Sequence, residues 1–137
     1  MLLGFKRRFA PFVEDGSKTH TIRALRNGGS AIFVGDRLDC YVDPRQKTMR
    51  LLGRWPCVKV EDIRIDIVGA NYSRAVSIDG HPLADDEIEA LAFRDGFRTA
   101  GFKSHFEEMM QFWLGRLPFR GKVIHWDFSK PMEKPGR

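Results

Sequence analysis

The sequence SHFEEMMQFW, residues 104–113, has the period of a helix, whereas most other apolar runs of the chain alternate. Its apolar side chains recur at i, i+3, i+4 and i+7, and so share one helical face: Phe106, Met109, Met110 and Trp113. Ser104 and Glu107 match a capping box, and Gly115 suits the residue after a helix end. The segment predicts an amphipathic helix from Ser104 to Leu114 with its stripe in the core.

A second helix is predicted just before this one, from Ala84 to Asp95. Asp86 and Glu89 resemble a capping box, and Gly96 follows the last apolar position. The residues expected on its apolar face are Ile88, Leu91 and Ala92. We expect the two helices to pack through Leu91 and Met109.

The rest of the chain shows the two-residue period of strands, clearest in residues 37–42, where apolar and polar side chains alternate. Other strands are predicted at Leu2 to Arg8, Lys18 to Arg23, residues 58–67, Val76 to Ile78 and Gly121 to Trp126. Ala10 to Asp15 is a short helical turn before Gly16. A phase slip between Val60 and Ile63 predicts a bulge or bend. We therefore expect an α+β fold, a small β-barrel of five to seven strands with flanking helices.

Length and composition predict one domain. The chain has 137 residues, of which 42% are hydrophobic, enough for a single core. We assign residues 1–128 to the domain and residues 129–137 to a tail without periodicity. No apolar run approaches the roughly 18 residues of a membrane helix, and basic residues 6–8 interrupt the N-terminus before a signal-peptide core. We therefore expect a cytoplasmic protein that does not bind a membrane.

The cysteines and histidines predict neither a disulfide framework nor a metal site. Cys40 and Cys57 lie in apolar, strand-like runs, which favours buried reduced thiols. The four histidines fall on separate elements without an i, i+4 pair: His20, His81, His105 and His125. We expect no metal and no cofactor.

Positive charge is concentrated in the first half of the chain. The net charge is +5, yet residues 1–60 hold 12 Lys and Arg against 5 Asp and Glu, while residues 61–137 hold 11 against 13. A basic face of this kind attracts phosphate. The predicted nucleic-acid contacts are Lys6, Arg7, Arg8, Arg45, Lys47, Arg50 and Arg54. The alternative is an ordinary solvated surface with spare arginines.

The densest polar cluster is GSKTHTIR, residues 16–23. In a strand Thr21 and Arg23 share one face and His20 takes the other, where a core or supporting role is expected. Lys18 is out of phase, and joins Thr21 only if the backbone turns just after Gly16. A lysine with a pKa depressed by desolvation could accept a proton from the threonine hydroxyl, and arginine could hold an anion or a carbonyl oxygen. The alternative is a β-strand with threonines at favourable positions and charges at its exposed edge.

Five short motifs in register resemble the ASCH domain over nearly the whole chain. They are Gly16-x-Lys18-Thr19-x-Thr21-Ile22-Arg23, Gly35-Asp36-x-Leu38, Ala92-x-x-Asp95-Gly96-Phe97, Phe106 to Trp113, and Val123-Ile124. That family is similar to the RNA-binding PUA domains. The resemblance implies a PUA-like β-barrel with a cleft beside the helices, and RNA or a modified nucleoside as the partner.

The resemblance implies two enzymatic activities besides binding. Some ASCH proteins are metal-independent amidohydrolases that deacetylate N(4)-acetylcytidine, and others are reported to cleave RNA. Lys18, Thr21 and Arg23 match the lysine, threonine and arginine of the amidohydrolase motif, and Arg26 is expected to assist Arg23 in holding substrate. The acidic residue would be Asp95, where glutamate is expected. The alternative for Asp95 is a polar residue in the last helical turn before Gly96.

One aromatic side chain also has two interpretations. Trp55, next to Arg54 and before Pro56, could be an exposed platform on which a base stacks. The alternative is a packed aromatic at the start of a strand.

Overall fold

The computed structural model of the chain describes residues 1–24, 31–66 and 75–133. They form an α+β fold in which seven strands make one mixed sheet beside three helices. This confirms the predicted class, and the strand number lies in the predicted range. The described residues fall into two compact units. The first unit holds residues 1–21, 31–60 and 124–133, and the second holds residues 22–24, 61–66 and 75–123.

In chain order the elements are β1 (Leu2–Phe5), α1 (Ala10–Asp15), β2 (His20–Ala24), β3 (Arg37–Val42), β4 (Arg50–Ile65), β5 (Val76–Ile78), β6 (His81–Pro82), α2 (Asp85–Asp95), α3 (His105–Trp113) and β7 (Phe119–Trp126). β1 is parallel to β3, which is antiparallel to β4; β4 pairs antiparallel with β5, and β5 with β6. β7 pairs with both β2 and β4. Between the described strands these pairings run from β1 to β6 without returning, so a closed barrel is not shown.

The core of the first unit follows from the alternation in β3. Leu38, Cys40 and Val42 are buried, while the side chains between them are half-buried. β1 adds Leu3 and Phe5 from the same side, because Leu3 aligns with Cys40 and Phe5 with Val42. Both cysteines of the chain are buried and unbridged, as predicted.

β4 begins eight residues before the strand predicted at residues 58–67. Its first part, including Gly53, Arg54 and Pro56, pairs with β3 but has no polar alternation that sequence analysis could detect. The pairing irregularity lies opposite Cys40 and Tyr41, whereas β4 continues through the predicted slip between Val60 and Ile63. Ile67 lies outside the described residues. Trp55 is buried and stacks on Trp126, so the exposed-platform interpretation is wrong.

The two later helices confirm the sequence analysis to within one residue. α2 is followed by Gly96 in the left-handed region, at φ 111°. α3 is capped by Ser104, whose hydroxyl accepts from the Glu107 N–H at 3.0 Å. Its four stripe residues are all buried, and α2 packs against α3. No helix in the described part of the chain is long and apolar enough to cross a membrane.

The capping box predicted for α2 is wrong, because it lies two residues earlier in the chain than expected. The N-cap is Ala84, whose backbone N–H donates to the Glu87 carboxylate at 3.0 Å. Glu89 instead accepts from the first two N–H groups of α3, His105 at 2.6 Å and Phe106 at 3.2 Å. Free N–H groups at a helix start favour such an acceptor. Glu89 therefore joins the two helices rather than capping its own.

Turns replace the predicted strand at one end of β1 and at one end of β2. β1 ends at Phe5 rather than Arg8, since Phe9 N–H already bonds to the carbonyl of Lys6 in a turn before α1. β2 begins at His20 rather than Lys18, since Lys18 N–H donates to the carbonyl of Phe12 in α1 at 2.9 Å. Lys18 therefore belongs to the turn after α1.

Candidate functional site

Three polar side chains around the start of β2 are buried in the first unit. Lys18 is 3% exposed, His20 2% and Thr21 5%. Lysine is almost never buried to this degree unless it interacts with a partner, and burying polar groups costs free energy unless they are bonded. Three buried polar side chains within four residues make this stretch the candidate site.

A left-handed turn positions Lys18. Gly16 ends α1 at φ 82°, and a Cβ added there would lie 2.7 Å from the ring of Phe128. Glycine is therefore required both by the backbone conformation and by the close ring. The Lys18 Nζ lies 5.2 Å from the ring centroid of Phe9, within the range of a cation–π contact. The turn that sequence analysis required between Gly16 and Thr21 is thus present.

β7 aligns the start of β2. The Trp126 N–H donates to the carbonyl of Thr19 at 3.0 Å, and the rings of His20 and His125 lie 5.6 Å apart. His20 and Thr21 are consecutive residues of β2, so their side chains point to opposite faces of the strand. His20 is buried, as expected for a core or supporting side chain.

Two further residues of the predicted cleft, Arg23 and Asp95, belong to the second unit. Arg23 is half-buried in β2. Asp95 is 6% exposed in the last turn of α2, before Gly96 and the buried Phe97. Asp95 interacts with other groups of the protein, in keeping with either interpretation of this residue. Arg26 lies outside the described residues. That Lys18, Thr21, Arg23 and Asp95 converge stays a prediction.

Three of the arginines predicted to contact RNA form ion pairs with carboxylates of the first unit. Arg7 Nε lies 2.8 Å from Asp43, and Arg54 Nε lies 3.2 Å from Asp39. Arg50 binds Glu14 through two hydrogen bonds, of 2.7 and 3.0 Å. The hydrogen bonds and charge of Arg50 lower the pKa of Glu14, and Glu14 raises that of Arg50. These pairs reduce the positive charge that the face offers to phosphate.

The loop between β3 and β4 keeps two cations exposed, Arg45 and Lys47. Asp43 organises this loop, because it accepts from the Thr48 hydroxyl and from Arg7, each at 2.8 Å. Those two hydrogen bonds, Thr48 first, lower the pKa of Asp43. Arg7 thereby ties the turn before α1 to the loop. The exposed cations of that turn, Lys6 and Arg8, are the remaining predicted contacts.

Sequence analysis missed the partners of these residues. Phe128, taken as the end of the domain, packs on Gly16 and lies 5.3 Å from the Trp55 ring. Glu14 and Asp43 were not singled out, because each pairs with a residue 36 positions away. In the described ranges no three His, Cys, Asp or Glu side chains are grouped as a metal site requires.

The chain has no significant match to a family model, to a curated protein or to a solved structure.

Proposed function

We propose that the chain binds a nucleoside, free or within RNA, through Lys18 and Thr21. The observation that carries the proposal is the burial of both side chains in the first unit, at 3% and 5% exposure. Lys18 and Thr21 both interact with other groups of the protein, and buried polar side chains held in this way can discriminate between ligands that match them and ligands that do not. The resemblance to ASCH domains supplies the class of ligand, and implies that the sheet closes into a PUA-like barrel.

Titration calorimetry with cytidine and N(4)-acetylcytidine tests this proposal. Thr21→Val removes the hydroxyl at nearly constant shape and should weaken binding about fivefold or more, since a lost bond to a buried group costs roughly 1 to 3 kcal/mol. Thr21→Ser retains the hydroxyl and should retain binding. Lys18→Met should weaken binding, whereas Lys130→Met, at an exposed lysine, should not. Equal affinities for all four variants would reject the proposal.

Phosphate contacts extend the proposal to RNA. We assign them to four exposed cations of the first unit, Lys6, Arg8, Arg45 and Lys47. Arg7, Arg50 and Arg54 contribute less, because carboxylates already offset their charge. Binding through phosphates should weaken steeply as salt rises.

The second candidate function is metal-independent deacylation of an N(4)-acylated cytidine. Lys18 lies before β2 and not within it, and this position favours the second candidate. Because Lys18 is not part of the strand, it need not point to the face opposite Thr21. Thr21 Oγ1 attacks the acyl carbonyl carbon while the neutral amine of Lys18 takes the hydroxyl proton. The C–N bond breaks, and Lys18 returns the proton to the departing amino group of cytidine. Water, deprotonated by Lys18, then attacks the threonine ester; the acyl C–O bond breaks to give acetate, and Lys18 returns the proton to Thr21 Oγ1.

In the same proposal Arg23 binds the carbonyl oxygen of the substrate, and Asp95 acts in place of the family's glutamate. Chromatography of N(4)-acetylcytidine incubated with the protein, with and without a chelator, tests it. Cytidine and acetate should form equally in both, and Thr21→Ala should abolish them. Asp95→Glu should raise turnover if the shorter carboxylate is limiting. If neither wild type nor Asp95→Glu forms product while cytidine still binds, the chain is a binding domain only.

A further inference from the structure

The segment from Phe93 to His105, named here the α2–α3 corner, differs in charge from the acidic half that contains it. It holds three cations, Arg94, Arg98 and Lys103. Its one carboxylate, Asp95, is 94% buried. The exposed part of the corner is therefore basic, although residues 61–137 together hold 11 basic and 13 acidic side chains. A local excess of cations attracts phosphate.

Carboxylates that reach the corner from the two helices are engaged by backbone groups. Glu89 of α2 accepts from the N–H groups of His105 and Phe106. Glu108 of α3 is buried and accepts from the N–H of Thr99 at 2.9 Å. These two acids thus serve the start of α3 and the loop before it, and two cations of the corner, Arg94 and Lys103, are exposed.

Two aromatic side chains of the corner are exposed, Phe93 at 43% and Phe102 at 37%. The Arg98 guanidinium lies 4.3 Å from the Phe93 ring centroid, and its Nε donates to the Phe93 carbonyl at 2.8 Å. The His105 ring meets the Phe93 ring edge to face at 5.0 Å. Phe93 is thus held in place between a guanidinium and an imidazole.

Proteins that bind single-stranded nucleic acids combine exposed aromatic side chains with cations. Bases stack on the aromatic rings, and the cations contact the phosphates. Two partly exposed phenylalanines are too small a patch for a stable protein partner, which needs about 800 Å² on each side. We propose that the α2–α3 corner binds single-stranded RNA, with a base stacked on Phe102 and phosphates on Lys103 and Arg94. This inference rests on the proposal that the chain's ligand is a nucleoside or RNA.

Fluorescence anisotropy tests the inference with two labelled probes, an eight-nucleotide oligouridylate and an abasic ribose-phosphate chain of equal length. Phe102→Ala should weaken oligouridylate binding about fivefold to a hundredfold, the range found for loss of one stacked base, and should not change binding of the abasic chain. Leu114→Ala is the matched control, since Leu114 is an apolar side chain of the same unit, 74% exposed, and should change neither.

Lys103→Ala should weaken both probes alike and should flatten the plot of log affinity against log salt by roughly 0.7. Urea melts of each variant establish that the fold is retained. The inference is overturned if wild type does not bind oligouridylate, or if Phe102→Ala binds it as tightly as Leu114→Ala does.

The outcome separates this inference from the proposed function. Loss of cytidine binding in Thr21→Val together with an unchanged oligouridylate affinity in Phe102→Ala would retain the Lys18 and Thr21 site and reject the corner. The reverse pattern would retain the corner and reject that site.

Discussion

Gly16 lies directly against the ring of Phe128, so that a Cβ on Gly16 would approach two ring carbons to 2.7 Å. The contact joins the turn before Lys18 to the segment after β7. It explains why this position needs glycine beyond its φ of 82°.

We predict that Gly16→Ala destabilises the protein by about 1 to 3 kcal/mol, because alanine adds left-handed strain to the clash with Phe128. In a Phe128→Ala background the clash is absent and only the backbone strain is left. Urea denaturation of the two single variants and the double variant should show a favourable coupling energy between the two alanines. Strictly additive losses would mean that the ring does not constrain Gly16.

The ion pairs predict which arginines contribute to the proposed binding of RNA. Arg45→Ala should flatten the plot of log affinity against log salt by roughly 0.7, the value for one single-strand phosphate contact. The charge-neutral double variant Glu14→Gln with Arg50→Gln should leave the slope unchanged, since that pair offers phosphate no net charge. Anisotropy titrations at several salt concentrations measure both slopes. A larger change in the double variant than in Arg45→Ala would contradict the assignment.

The hydrogen bonds of Asp43 predict how stability changes at low pH. Its pKa is lowered by the Thr48 hydroxyl and then by Arg7, so the folded protein binds this proton less readily than the unfolded chain. The stabilisation is therefore complete above the usual aspartate pKa of about 3.9 and is lost as the pH falls below it. Asp43→Asn should lower stability at pH 7, and the difference from wild type should shrink toward pH 2. Urea melts across this range would refute the pairing if the difference stayed constant.

The stripe of α3 predicts a large loss on truncation. Trp113 is 5% exposed and contacts Phe119 at 4.3 Å between ring centroids. Trp113→Ala should destabilise by about 3 to 5 kcal/mol through lost burial and a cavity. Leu114→Ala, at the exposed neighbouring position, should change stability by less than about 0.5 kcal/mol. Similar losses for both variants would mean that the stripe does not face the core.

Elements with a regular apolar period could be predicted from sequence, because burial of one face imposes the period. The stripe of α3 and the alternation of Arg37 to Val42 are examples. The start of β4 could not be predicted from sequence. Its pairing with β3 is made by the backbone and includes residues such as Gly53 and Pro56, which give no apolar period. The role of Glu89 was also hidden, because it depends on which helix packs beside it.

The same limit applies to the candidate site. Lys18 and Thr21 stand out in the sequence because they lie in its densest polar cluster, and Gly16 is a local signal for the turn that Lys18 needs. The partners of Arg7 and Arg50 are 36 positions away, and ion pairs of that separation exist only once the chain has folded.

The proposed contact between Thr21 and a bound nucleoside is tested most directly by following the ¹³C-methyl signal of Thr21 during titration with cytidine. We expect a saturable shift of that signal with the Kd found by calorimetry, and in Lys18→Met a shift of the same signal only at much higher cytidine concentrations. If the Thr21 signal stays fixed while cytidine binds elsewhere on the protein, Thr21 does not contact the nucleoside.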